Sequence, residues 1–212
     1  MKNGSVSTQT LRRIPLYLSY LKRVRGEYVN ISAVTIAEEL RLNEVQVRKD
    51  LASVSRGGKP KIGYIVDDLI SDIERFMGYS SIDHAVLVGA GNLGSALTGY
   101  KGFAEFGLEI VAAFDSSLAA VGRKIGGKPV YNISMLDKIC REQNVKIGII
   151  TVPAQAAQEV CDRLIAAGVM AIWNFAQTHL SVPDGILVQN ENMAYSLAAL
   201  SMHLESKIKD GN

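Results

Sequence analysis

The chain has 212 residues, is 48% hydrophobic and 21% charged, and carries a net charge of +2. That length suits one large domain or two small ones, and the composition excludes a disordered chain. No apolar run approaches the roughly 20 residues that span a bilayer, and the opening MKNGSVSTQTLRR lacks the apolar stretch of a secretory signal. The expectation is a cytoplasmic protein with no membrane partner.

In chain order, the first eighty residues read as helices. LRRIPLYLSYLKRV places Leu11, Ile14, Leu18, Leu21 and Val24 on one stripe. Pro15 is tolerated near a first turn, so this helix is predicted to start close to it. SAVTIAEEL is a short second helix. RLNEVQVRKDLASV is a third, with Asn43 as its N-cap. A tight turn between two helices, the second of them basic, predicts a helix-turn-helix. SRGGKPKIGYIV follows as a basic hairpin with a short strand IGYIV, which suits a wing. DDLISDIERFMGYSS is a fourth helix ending at Gly78, and GYSSID marks a domain boundary.

Charge supports a division of labour. Residues 1–80 carry 13 Lys and Arg against 9 Asp and Glu, and the remainder carries 10 against 12. Between Arg41 and Lys61 lie six basic and two acidic residues, the footprint expected for a polyanion. Gln46 suits an adenine edge. Arg48 and Lys49 face either bases or phosphates, and Lys59 and Lys61 face phosphates or a narrow minor groove. Asn43, Arg56 and Tyr64 complete the candidate DNA-binding set.

From residue 84 the pattern becomes alternating strands and helices. HAVLVG, EIVAAFD, VKIGIITVP, VMAIWNF and GILVQN read as strands. NLGSALTGYKGFAEFG, ISMLDKICREQN and QAAQEVCDRLIAAG read as helices. Strands that are apolar throughout, separated by amphipathic helices, imply a parallel sheet covered on both faces. A last helix, NMAYSLAALSMHLESKI, carries Leu197, Leu200, Leu204 and Ile208 on one face; it covers its own sheet or reaches a partner chain. Cys140 and Cys161 form no CxxC pair and the three histidines are scattered, so neither a disulfide nor a metal site is expected.

The first strand runs into Gly89, Ala90, Gly91, Asn92, Leu93 and Gly94, in the spacing G-x-G-x-x-G between strand and helix that fits a dinucleotide-binding turn. Asp115 ends the next strand, 21 residues past Gly94, where a carboxylate holds the adenosine ribose and repels a 2′-phosphate. This favours NAD(H). Thr151, Val152 and Pro153 end a third strand on the same crevice, and Asn174 and Phe175 end the next. Phe175 lines the nicotinamide side or packs in the core. Tyr100, placed within the helix after the glycine loop, stacks on a ring or is buried. Residues 84–190 leave no room for a catalytic domain, and His179 has no partner for acid–base work. A dinucleotide site beside a basic helix-turn-helix reads as a switch, not an enzyme.

The sequence resembles the Rex redox-sensing transcriptional repressors of bacteria. The residues that carry the resemblance are QVRKDL (46–51), GY (63–64), GAGNLG (89–94), FD (114–115), TVPAQAAQEV (151–160) and IWNFA (172–176). It implies an α/β protein with an N-terminal winged helix over 1–80 and a Rossmann domain over 81–190 holding NAD(H). A C-terminal helix over 191–212 would be swapped between subunits of a homodimer. Operator double-stranded DNA would be the partner, released by NADH, and Tyr100, Phe175 and Met193 would converge at the nicotinamide. The chain departs from the family at three places. The wing reads SVSRGGKPKIGY where an aromatic- and glycine-rich segment is usual. Asn192 stands where the family has an acidic residue, and Ser19 where some members have arginine. Loss of a cross-domain charge pair would weaken the redox response, which is one alternative. A small NAD- or CoA-binding enzyme subunit and a regulator using the Rossmann domain only as a dimer scaffold are others.

Overall fold

The computed structural model describes residues 6–78 and 83–210. The chain divides into two compact units that meet between residues 81 and 82; the GYSSID boundary lies mostly outside the described residues.

In the first unit, α1 runs Thr8–Arg23, its first turn capped by the Ser7 side chain, which accepts from the Thr10 N–H. Pro15 therefore lies mid-helix, contrary to the expectation that it marks the start. The cap and the side-chain contacts of Thr10, Arg13 and Tyr17 described below hold the turns ahead of it, which offsets the hydrogen bond that proline cannot donate. The stripe is buried at Ile14, Leu18, Leu21 and Val24, whereas Leu11 is exposed. Helices α2 (Ala33–Leu40) and α3 (Glu44–Val54) are capped by Ser32 and Asn43. The turn between them is made by Arg41 in the left-handed conformation, φ 52°. From α3, Val47 and Leu51 enter a core shared with α1 and with Leu69, Ile70 and Ile73 of α4 (Val66–Phe76).

The predicted strand IGYIV shrinks to β2 (Tyr64–Ile65), which pairs antiparallel with β1 (Asn30–Ile31), a strand too short to show a period in the sequence. The wing is closed by Lys59 and Gly63, whose backbones exchange two hydrogen bonds of 2.9 Å, with Lys61 at φ 65° between them. Gly63 is required there: a Cβ would lie 2.2 Å from the Ile31 carbonyl oxygen.

The second unit is a seven-stranded sheet: β3 (Asp83–Val88), β4 (Leu108–Asp115), β5 (Lys124–Ile125), β6 (Lys128–Asn132), β7 (Ile147–Ile150), β8 (Ala171–Asn174) and β9 (Leu187–Asn190). Its spatial order is β5-β6-β4-β3-β7-β8-β9, parallel throughout except for β5 against β6. Both faces are covered, as strands apolar throughout require. Val86, Val88, Phe114 and Ile150 pack under α6 (Leu136–Glu142) and α7 (Ala154–Ala166). Ala85, Leu87, Ala113 and Ile149 face the opposite side. The order reverses at β3 and β7, so the crevice beyond their carboxyl ends is the place where such sheets bind ligands.

The single helix predicted over 92–107 is broken. Helix α5 (Asn92–Thr98) stops at Gly99, and a 3-10 turn covers Lys101–Phe106. Glycines at 99 and 102 disfavour a continuous helix. The ring of Tyr100 fills the space that a Cβ at Gly102 would take, 2.5 Å away. Strands β5 and β6, joined at Gly126-Gly127, went unforeseen. The last helix, α8 (Met193–Asp210), is exposed at every side chain described, including Leu197, Leu200, Leu204 and Ile208. Among the described residues no helix is long and apolar enough to cross a membrane.

Candidate dinucleotide and nucleic-acid sites

Six of the residues expected to hold a cofactor, Gly89, Gly91, Asp115, Thr151, Val152 and Pro153, line one crevice of about 470 Å³. The loop is built around its glycines. Gly89 has φ +108°, and a Cβ on it would lie 2.8 Å from the Thr151 carbonyl. A Cβ on Gly94 would lie 2.0 Å from the Gly89 oxygen, so only glycine lets α5 press against the loop. At Gly91 a Cβ meets nothing within 4 Å, and open space is left where a pyrophosphate approaches the backbone. The first N–H groups of α5, from Asn92 and Leu93 onward, have no acceptor within the helix and favour an anion. This cradle fits a dinucleotide.

Asp115 is fastened to the loop. Its Oδ2 accepts from the Ala90 N–H and its Oδ1 from the Ser117 N–H, both at 2.8 Å. Each oxygen keeps a second acceptor site for a ribose hydroxyl. Thr151 braces the loop from across the switch point, its hydroxyl 2.8 Å from the Gly89 oxygen. Ile133 and Arg163 also line the crevice, and sequence reasoning missed both. Arg163 donates to the Ile133 carbonyl at 2.9 Å and lies 3.5 Å from Asp137. Nothing in an amphipathic helix pattern marks that role.

Asn174 is bonded within its own unit. It is fully buried, its amide donates to the Thr178 carbonyl (3.0 Å) and to Asn190 Oδ1 (2.8 Å), and its oxygen accepts from the Ala176 N–H (3.0 Å). It straps down the loop after β8. Tyr100 is neither helical nor buried: it sits at the break after α5, 62% exposed. Its ring meets Phe103 edge-on at 5.0 Å, Phe103 meets Trp173 at 5.7 Å, and Trp173 meets Phe175 at 4.7 Å. Tyr100 and the half-buried Phe175 thus end one aromatic chain. Met193, at the start of α8, is 66% exposed.

On the first unit, Lys49, Arg56, Lys59 and Lys61 are exposed, and Arg48 pairs with Glu44 one turn earlier. Asn43 spends its side-chain oxygen on the Gln46 N–H. Tyr64 does not reach outward: it is 9% exposed and its ring underlies Gly58, where a Cβ would lie 2.7 Å from Cζ. Burial raises its phenol pKa. Tyr64 supports the wing from beneath.

Asp50, to which sequence reasoning assigns no role of its own, anchors α3. It is 2% exposed and accepts from Arg13 Nε (2.7 Å) and Nη2 (3.1 Å), Tyr17 Oη (2.8 Å), Thr10 Oγ1 (3.0 Å) and Gln46 Nε2 (2.8 Å). Burial pushes its pKa up, but the hydrogen bonds from Arg13, Tyr17, Gln46 and Thr10 together outweigh burial, and the carboxyl lies below its ordinary value. Burial, reinforced by Asp50, pushes Tyr17 up to about 12.

The sequence matches the family described as CoA binding domain over residues 80–178, and that described as putative DNA-binding protein N-terminus over residues 5–52. It is 42% identical over 199 residues to the redox-sensing transcriptional repressor Rex of Treponema denticola, covering 93% of this chain and 95% of that one. Against the protein of the same name from Carboxydothermus hydrogenoformans it is 40% identical over 205 residues, 96% and 99% of the two chains. Among solved structures, that of RSP in complex with β-NAD+ and operator DNA superposes with a TM-score of 0.89 at 30% identity, covering 98% of this chain and 96% of that one. RSP in complex with β-NADH gives 0.84 at 30% identity, covering 98% and 99%. With such identity along nearly its whole length, the chain belongs to the Rex family of redox-sensing transcriptional repressors.

Proposed function

We propose that this protein is a cytoplasmic transcriptional repressor whose hold on operator DNA is set by NAD+ and NADH in the crevice beside Gly89–Gly94. The observation that carries the reading is the glycine cradle, where Cβ atoms are forbidden at Gly89 and Gly94 and space is left open at Gly91. Asp115 beside it favours the unphosphorylated ribose of NAD(H). The role is regulatory, not catalytic. The relatives share the redox-sensing name at about 40% identity, which supports this reading over an enzyme subunit, a scaffold-only regulator or a weakened response.

The exposed apolar side chains of α8 suit a second copy of this chain, and a homodimer presents two recognition helices to successive major grooves, about 34–36 Å or a multiple apart. A cofactor shifts operator affinity only by binding the two states of that dimer unequally. Fluorescence anisotropy on an AT-rich palindrome, with NAD+ and with NADH, tests the proposal. Tight binding reversed by NADH is expected; binding indifferent to both cofactors defeats it.

The wing supplies a second expectation. Lys59 and Lys61 are exposed beside the recognition helix and serve phosphates. Replacing both by Ala is expected to weaken all DNA sequences alike and to flatten the log–log salt slope by roughly 1 for each cation lost. An unchanged slope removes the wing from the interface.

A further inference from the structure

In spatial order the strands beneath the crevice run β6, β4, β3. A pyrophosphate over the glycine loop after β3 and a ribose at Asp115, which ends β4, put the base of a dinucleotide past the end of β6. Asp115 is in register with Asn132, the last residue of β6, and Ile133 follows it into the crevice wall. The opposite wall is α7, where Ala156, Glu159, Val160 and Arg163 all line the crevice. Their offsets of three, four and seven residues put them on one helix face. Arg163 ties the two walls together, its Nη2 donating to the Ile133 carbonyl at 2.9 Å. Between the walls the crevice has apolar sides, Ile133 on one and Ala156 and Val160 on the other, which suit a flat ring.

Glu159 stands four residues before Arg163, the spacing at which an acid and a base pair along a helix. That pair is not made: Arg163 is committed to Ile133 and, at 3.5 Å, to Asp137. Glu159 is exposed, and it has no hydrogen bond or ion pair with any of the described residues. A carboxylate only accepts, so what it takes from a ligand is an N–H or O–H. The adenosine ribose hydroxyls belong to Asp115 and the phosphates repel an anion, which leaves the 6-amino group of adenine at this end of the crevice. We infer that Glu159 reads the base of the dinucleotide, its carboxylate accepting a hydrogen bond from the 6-amino group of an adenine lodged between Ile133 and α7. The inference rests on the proposed binding of NAD(H). Hypoxanthine carries a carbonyl oxygen where adenine has that amino group, and two acceptors that face each other repel.

Isothermal titration of the full chain with NADH, and with the analogue of NADH in which hypoxanthine replaces adenine, tests the inference. Wild type is expected to bind NADH at least about tenfold more tightly than the analogue, the size of effect that a hydrogen bond to a charged group carries. Glu159→Gln is expected to bring the two affinities within about threefold, because an amide donates to a carbonyl as readily as it accepts from an amino group. Glu159→Ala offers the base neither group and is expected to erase the preference by weakening NADH. Thermal melts of both variants should match wild type, since the side chain is exposed. Three outcomes overturn the inference: equal binding of the two dinucleotides by wild type, a preference for the hypoxanthine form, which would put a donor such as Arg163 at the base, or an adenine preference that survives both substitutions. Wild type that binds neither dinucleotide defeats the proposed function itself, whereas wild type that binds both equally defeats only the role given to Glu159.

Discussion

Replacing Asp50 by Asn is expected to cost the first unit about 3 kcal/mol, because a buried ion pair that loses one member leaves the other uncompensated. For a unit of this size that lowers Tm by roughly 10–20 °C. Arg13 would retain its charge against a neutral amide, while Gln46, Thr10 and Tyr17 would all have to re-pair around it. Operator affinity should fall with stability, since Asp50 fixes α3 against α1. Calorimetry on the variant tests this, and a Tm within about 2 °C of wild type would show the cluster to be dispensable. The pH dependence follows in sign. The Asp50 carboxyl is held below its ordinary value, so its contribution is complete above the unfolded value near 4 and is lost as pH falls through the folded one. Tyr17 is held at about 12 against an ordinary 10.0, so its contribution is complete below 10 and is lost as pH rises toward 12. Wild type should lose stability at both extremes, and Asp50→Asn should show a shallower dependence on the acid side.

The glycine loop gives the second large effect, through two substitutions that look alike in sequence and differ in the fold. Gly91→Asp puts a carboxylate into open space at a backbone conformation, φ −73°, that any residue adopts. Its stability should match wild type, while NADH binding should fall at least about a hundredfold, because the new charge faces a pyrophosphate at close range. Gly94→Ala forces a methyl to 2.0 Å from the Gly89 oxygen, so α5 must move off β3. Both stability and NADH binding should fall. Isothermal titration with NADH and thermal melts on the pair separate the two cases. If Gly91→Asp bound NADH as tightly as wild type, the pyrophosphate would not lie over this loop.

What the sequence disclosed follows from what periodicity can carry. Both units, the helix-turn-helix, the glycine turn and five of the seven strands of the sheet were legible, because a buried face leaves a repeat of 2 or 3.6 residues and caps and glycines punctuate it. The two-residue strands β1 and β5 have no period to read. Pro15 misled because tertiary contacts override local preference. Sequence position puts Tyr64 among the candidate DNA contacts and Asn174 on the nicotinamide side of the crevice. The fold instead spends the Tyr64 ring on the wing and every amide hydrogen of Asn174 on its own loop. Asp50 escaped notice because its partners lie 33 to 40 residues away in α1, apart from Gln46. No local pattern announces a contact at that distance.

Arg41 and Lys61 both hold positive φ, at 52° and 65°, where a non-glycine residue costs of order 1 kcal/mol. One forms the turn ahead of the recognition helix and the other the tip of the wing. A laboratory screen for heat resistance alone would drive both positions to glycine or asparagine, and each improvement would strip a cation from the face proposed to meet DNA. Ruggedness and grip are therefore opposed at these two positions, and the natural chain has kept grip.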